Sequence, residues 1–538
     1  MNWGFFIVAL LALVVAAKSG VTETTSPPQR ALPHHTTCPV PLPDDFWDAP
    51  GAEVFEASEK WAWNERICLG QPADVRYAPG GKGAVETCRP TEIEDDGETV
   101  PFHRNLRPAF LELILSHEPW ASAPRHPLVA IVCALVDETI KLDDHDIPST
   151  FLFHQGKING GVHLVGSRFQ RTLGFNGSTI TGMLQADSVE IGGYLLLRGG
   201  GTFADIVLRS AKIGGNAGFD SSTVTGTLTA DDMEVGDNLF LRGGGSFRAI
   251  NLIGAHIGGD VQLAGSTFSG VINATGAKIA GELHLSSTKR GLPTWVEGSG
   301  LLLRNASADA LQARQDDWRI EYTWPVEDAL LFADAWSDKD HKSDYLPTDL
   351  TGFSYNRFGG VWAGSGQGMA DASADWLIHW LTGQDNHGSH YDPQPYEQLA
   401  KVLKNAGATE KAKAIRFGKF LHKIAHDPEM SWVDQVWMTA QRWVVGFGIY
   451  PFLALYWFFG LVGLGAILAF FSLNPAIRRF PYPLWYSLEN ALPLVEMNRA
   501  FEEADHGTRR LNSFFHLQKI LGFFLATVLV GALTLLSR

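Results

Sequence analysis

One spacing constrains this chain more than any other feature of its 538 residues. Ile191, Ile213, Val235, Ile257 and Ile279 recur every 22 residues, and each opens a step that contains glycine: Ile191-Gly-Gly, Ile213-Gly-Gly, Val235-Gly-Asp, Ile257-Gly-Gly and Ile279-Ala-Gly. Ile158 and Ile180 keep the same interval but sit 11 residues out of phase with that series. A fixed period this short marks one supersecondary unit stacked on itself. Within each unit apolar and polar residues alternate, as in Asp260-Val261-Gln262-Leu263, and no run is long enough for an amphipathic helix. The glycines mark corners, where positive φ or a close neighbouring backbone is needed. A single coil buries too few apolar side chains to offset the ordering of its own backbone, so neighbours must complete it. About six coils at about 4.8 Å each predict a rod roughly 30 Å long. Arg198 and Arg242, each followed by three glycines, fall 44 residues apart and therefore on one side of that rod, two coils apart. They read either as solvated side chains or as an anion-binding stripe.

The segments around the repeat differ in kind. Residues 1–19 resemble a signal peptide or signal anchor: Phe5 to Ala17 is apolar and uncharged, and small residues at Ala17 and Ser19 permit cleavage. No Lys or Arg precedes the apolar run. Residues 20–45 read as a flexible tether, and 46–150 as a helical or mixed cap that covers the open end of the rod. Two amphipathic helices are expected in the cap, around FHRNLRPAFLELILSH and at HPLVAIVCALVDE. Cys38, Cys68, Cys88 and Cys133 all precede the solenoid and are disulfide candidates with three possible connectivities, Cys133 alternatively being a buried thiol. The solenoid is expected over 151–300, with a Trp-rich irregular extension over 301–392, where Leu301-Leu302-Leu303-Arg304 echoes Leu195-Leu196-Leu197-Arg198. Residues 393–447 predict a tetratricopeptide-like helix pair packed against the solenoid end or the membrane helices. An amphipathic juxtamembrane helix anchored by Trp432, Trp437 and Trp443 follows.

Two transmembrane helices are expected, at 448–472 and 514–537, joined by a loop over 473–513 that carries an interfacial or re-entrant helix. The loop holds Arg478, Arg479, Arg499, Arg509 and Arg510, so the positive-inside rule puts it in the cytoplasm and the solenoid on the periplasmic, extracytoplasmic side of the bacterial inner membrane. A second basic cluster, Lys401 to Lys423, leaves a cytoplasmic solenoid as the alternative. The fold class is thus mixed: a right-handed-type β-solenoid of about 22-residue coils, a helical N-terminal cap, a C-terminal helical hairpin and two transmembrane helices.

Motifs for chemistry are sparse. A net charge of −15 argues against nucleic acid as a partner. Asp385, His387, His390 and Asp392 form the densest set of potential metal ligands, but their spacing matches no known site and a polar loop is the plainer account. Asp205, Asp220, Asp231, Asp232 and Asp260 are scattered, whereas carboxylate catalysis needs two groups roughly 5–10 Å apart on one face. Between the spans, Glu489 and Glu496 suit a pore only in an oligomer whose lumen they face. No catalytic residue, cofactor or redox motif is identified.

Taken together, NLRPAFLELIL, the repeat, DPQPYEQLAKVLKNAG, the step Gly446-Phe-Gly-Ile-Tyr-Pro451 and YSLENALPLVEMN resemble a bacterial family of membrane-anchored, pentapeptide-repeat-like β-solenoid proteins. Some of its members carry the label membrane-associated oxidoreductase. The resemblance spans most of residues 100–538 and implies the architecture. The activity has no fingerprint in the sequence to attach to. The chain is therefore expected to be a non-enzymatic, membrane-anchored scaffold or binding module. Its expected partners are membrane lipid and an unidentified protein or envelope polymer. The alternatives are an enzyme acting on envelope polysaccharide along one solenoid face, and an oligomeric channel or signalling protein.

Overall fold

The computed structural model describes residues 37–42, 55–78, 88, 94–95, 98–99, 105–286, 290–321, 346–359, 368–384, 391–427, 429–472, 475–479, 481–492 and 509–536. The middle of the chain winds as a parallel β-solenoid of about seven turns of about 22 residues. Each regular turn adds short parallel strands to two long sheets. In one sheet Ile191 stands in register with Ile213, Ile213 with Val235, Val235 with Ile257 and Ile257 with Ile279. In the other, Ile158 pairs with Ile180 and Ile180 with Phe203. The two phases of the repeat are therefore two sheets that line one dry core, with all of these side chains buried.

The interior is built in columns. Phe153, Phe175, Leu197, Phe219, Leu241, Leu263 and Leu285 follow one another at 22-residue steps and are all buried. A second column ends in stacked rings, Phe247 to Phe268 at 5.6 Å and Phe268 to Trp295 at 4.9 Å. Buried serines satisfy corner carbonyls: Ser178 Oγ donates to the Phe153 oxygen at 2.9 Å.

The solenoid begins earlier than expected. The expected helix at HPLVAIVCALVDE is instead strands Leu128–Val132 and Leu135–Val136, the first of them paired with Thr150–His154. Val129, Ile131 and Val132 are β-branched and stiff at χ1, and a ladder rewards that shape where a helix does not. The cap contains a helix at Ala57–Trp61, continued by tighter and wider turns to Leu69, and the helix Pro108–Ser116, with Pro108 in its first turn and Phe110, Leu111, Leu113, Ile114 and Leu115 buried. Strand Ala73–Asp74 covers the open edge by pairing Ala73 with Ile131. Glu59, wholly buried, is held by Arg107 Nη2 at 2.6 Å and by the Arg107 backbone N–H at 3.0 Å. Beyond residue 300 the ladder continues through Gly300–Leu302, Ser307–Gln312, Thr348–Asp349 and Ser354–Phe358.

The helix pair Gln394–Asn405 and Thr409–His426, with Gly407 at φ +83° between them, closes that last coil. Gln394 Nε2 donates to the Phe353 carbonyl at 2.9 Å, and Gln398 Nε2 donates to the Tyr355 carbonyl. Tyr396, Leu399 and Ala400 are buried, while Glu397 pairs with Lys419 and Arg416 on the second helix. The phrase DPQPYEQLA is thus an edge cap, its amides completing carbonyls of the last coil that no further strand pairs among the described residues.

Helix Trp432–Val445 buries none of its residues and exposes Trp432, Trp437 and Trp443. Among the described residues two helices are long and apolar enough to cross a membrane, Leu453–Phe470 and Arg509–Gly531. The helix Tyr482–Ala491 folds back against them: Ser487 Oγ donates to the carbonyl of Val462, midway along Leu453–Phe470, at 2.6 Å. Gln518 Nε2 donates to Ser487 Oγ at 2.7 Å, and only a glycine fits at Gly465, where a Cβ would crowd both polar groups. Ser487 thus finds its partners inside the helix bundle.

The corner glycines set the distance between turns. A Cβ on Gly236 would lie 2.2 Å from the Gly214 carbonyl oxygen, a backbone atom that has nowhere to go. Gly236→Ala is expected to destabilise the solenoid by about 3 kcal/mol, as overpacking does, read as a lowered urea midpoint by circular dichroism; an unchanged midpoint contradicts the stacking.

Candidate functional site

One side of the rod carries a groove of about 1290 Å³. Its floor is a column of glycines, Gly192, Gly214, Gly236 and Gly258, placed one per turn by the repeat. Each is forced to be glycine by the carbonyl of the turn before it; a Cβ at Gly214 or Gly258 would lie 2.5 or 2.1 Å from that oxygen. The same backbone constraint that stacks the turns therefore leaves a trench free of side chains. Beside it runs a ladder of outward charges in strict register: Asp146, Arg168, Glu190, Lys212, Glu234, His256, Lys278. From Asp146 to Glu234 the sign alternates at every rung, so no like charges stand directly opposite. Arg168 and Glu190 approach to 3.7 Å, both more than half exposed, so this contact contributes little. Lys212, Glu234 and Lys278 form no ion pair among the described residues and face solvent. Five coil rises separate Arg168 from Lys278, about 24 Å.

The sequence did not single out this ladder, although its signal is simple: it is the residue just before each repeating Ile or Val, read in a column. The arginines that the sequence did single out lie elsewhere. Arg198 and Arg242 occupy one corner row with Asp220 between them, as backbone bonds from Gly199 N to Asp220 O and from Ser221 N to Arg242 O require. Arg242 Nε donates to Asp220 Oδ1 at 2.8 Å.

Two carboxylates converge outside the groove. Asp260 and Glu282 approach His284 Nε2 to 3.5 and 3.2 Å, and Arg357 bridges Glu282 at 2.8 Å and Asp309 at 3.0 Å. Asp260 also accepts from the Glu282 N–H at 2.9 Å, part of a corner ladder that continues from Asn238, whose side-chain oxygen accepts from the Asp260 N–H at 2.8 Å. Asp205 sits in a similar role, accepting from Thr227 N at 2.8 Å.

Of the metal-ligand candidates, Asp385, His387 and His390 lie outside the described residues; Asp392 accepts from the Gln394 backbone N–H at 2.9 Å, at the start of the capping helix. Among the described residues no group of three or more His, Cys, Asp or Glu side chains is placed to hold a metal ion. Of the four cysteines, Cys38 pairs with Cys68 and Cys88 with Cys133, their Cα atoms 5.5 and 5.2 Å apart. Glu489 lies on the folded-back helix, and Glu496 lies outside the described residues.

Asp317 is a buried acid near the last turns. Its Oδ2 accepts from Ser286 Oγ and from the Arg314 backbone N–H, both at 2.6 Å, and its carbonyl accepts from Trp295 Nε1 at 2.8 Å. Trp318 beside it packs on Trp380 at 5.0 Å. Burial is the dominant influence and pushes the Asp317 carboxyl up to about 6, against the opposing pull of those hydrogen bonds and of Arg314.

No family model, no curated protein and no solved structure matches this chain.

Because folding raises the Asp317 pKa, the folded state holds that proton more tightly. Its contribution to stability is complete below about pH 4, the unfolded value, and is lost as pH rises through about 6. Asp317→Asn, which has no proton to lose, is expected to abolish this slope. Thermal melts at pH 4 and pH 7 are predicted to diverge between the two proteins by about 2–3 kcal/mol; parallel pH profiles contradict the assignment.

Proposed function

We propose that this protein is a membrane-anchored β-solenoid binding module, displayed outside the cytoplasmic membrane, that holds an extended polymer along its charged groove. The observation that carries this reading is the trench itself, a continuous feature of about 1290 Å³ beside an ordered ladder of solvent-facing charges. A stacked coil offers a ligand the same surface at each step, so its natural occupant is long and regular. Like charges recur on the ladder every second rung from Asp146 to Glu234, which at about 4.8 Å per turn is roughly 10 Å. That interval suits a charged polymer built of two-unit repeats, such as an envelope glycan. The arginines of the loop between the spans support the outward orientation through the positive-inside rule. The exposed tryptophans of Trp432–Val445 support an interfacial position for that helix.

A second reading, an enzyme acting on envelope polysaccharide, is favoured by one observation, the approach of Asp260 and Glu282 to His284. Against it, Glu282 is tied to Arg357 and all three residues lie away from the trench.

Two measurements test the proposal. Lys212→Cys should react with a membrane-impermeant maleimide in intact spheroplasts; reaction only after lysis reverses the orientation. Full-length protein in nanodiscs should bind solubilised cell-wall glycan without releasing fragments. Reversing the ladder with the double charge swap Lys212→Glu and Glu234→Lys should weaken that binding. Retained binding in the swap rejects the groove, and fragment release that Glu282→Gln abolishes establishes the enzyme.

A further inference from the structure

A second cavity, of about 520 Å³, opens at a different corner of the rod, lined by Asn176, Arg198, Asp220, Phe240, Arg242 and Arg290. The corner row reads His154, Asn176, Arg198, Asp220, Arg242, one residue per turn. Arg290 is not part of that row. It comes from the irregular turn that follows, and two glycines receive it. A Cβ on Gly265 would lie 2.1 Å from the Arg290 carbonyl oxygen, and one on Gly243 would lie 2.9 Å from its Nη1. The chain therefore leaves space at two positions for this arginine to reach back.

What it reaches is Asp220. The single oxygen Oδ1 accepts from Arg242 Nε at 2.8 Å and from Arg290 Nη1 at 3.0 Å. Arg198, exposed on the other side of Asp220, has no ion pair among the described residues. Three guanidiniums and one carboxylate line this small concavity among the described residues, within a chain whose net charge is −15. Arg242 is held in place by the Phe240 ring, 3.8 Å beneath it. His154, two turns before Arg198 in the row, has its pKa lowered by burial and then by the charge of Arg198, so at neutral pH it adds no charge of its own.

We propose that this corner binds a phosphate monoester. The guanidinium fork matches phosphate oxygens, and a dianion brings negative charge to a lining that offers three arginines and a single carboxylate. Arg198 supplies the unpaired fork, while Arg242 and Arg290, fixed by Asp220, supply the preorganised side. The site depends neither on the groove nor on membrane orientation.

The test is calorimetric titration of the full chain in neutral-lipid nanodiscs with inorganic phosphate and with glucose 6-phosphate. A second preparation carries phosphatidic acid in the disc and competes against inorganic phosphate. Arg198→Gln should weaken phosphate binding roughly tenfold, the loss of one hydrogen-bonded charge. Asp220→Asn, which adds to the positive excess, should tighten it. Lys212→Gln, in the groove, should leave it unchanged and serves as the control for a general loss of charge. Binding of the sugar phosphate points to a soluble or polymer-borne phosphate, and competition by phosphatidic acid to a lipid headgroup; both support the proposal. Absence of saturable binding by any probe, or equal weakening by Arg198→Gln and Lys212→Gln, overturns it.

Discussion

Backbone hydrogen bonds between successive turns carry everything else in this protein. Leu173 N donates to Tyr194 O, Leu195 N to Asn216 O, Ala217 N to Asn238 O and Leu239 N to Asp260 O, at 2.8 to 3.0 Å. No turn can satisfy these groups within itself, and each unpaired one in the interior is costly. The ladder fixes the rise per turn, and the rise fixes what the corners are allowed to be. Gly214, Gly236 and Gly258 are glycines because each lies against the carbonyl of the turn before. The trench is the outward consequence of that inward constraint.

The ends of such a ladder are its weak points, and the chain treats them differently. At the start, strand Ala73–Asp74 adds one more rung beside Ile131. At the finish, where among the described residues no strand follows Ser354–Phe358, two glutamine amides on a helix complete carbonyls of Phe353 and Tyr355. Side chains thus substitute for backbone, and the helix that bears them anchors the pair leading towards the membrane helices. The two long apolar helices repeat the theme: Ser487 and Gln518 meet inside the bundle against Gly465, so that the folded-back helix brings its polar groups to partners.

Periodicity made the core legible in the sequence: the 22-residue interval placed Ile191 over Ile213, while the 11-residue offset of Ile158 and Ile180 was visible without the second sheet that it marks. The span positions were legible from composition alone. The strand Leu128–Val132 was not, because five apolar residues in a row fit a buried strand and a buried helix equally well and only the pairing to Thr150–His154 decides. Gln394 and Gln398 were visible as a phrase but not as a cap, since the carbonyls they meet lie some forty residues away in sequence. The charge ladder escaped notice for a related reason. Its members are ordinary surface residues singly, and become a pattern only when read down the rod. Arg290 belongs to no repeat, and its meeting with Asp220 across 70 residues follows from the irregular turn alone.

The central claim is that successive 22-residue units stack directly on one another. Spin labels at Arg168→Cys and Lys278→Cys, 110 residues apart in sequence and five turns apart in space, test it by pulsed electron–electron double resonance on the full chain in nanodiscs. The stacked solenoid predicts a single narrow distribution centred near 24 Å. A broad distribution, or one centred beyond about 40 Å where that many turns cannot reach, contradicts it.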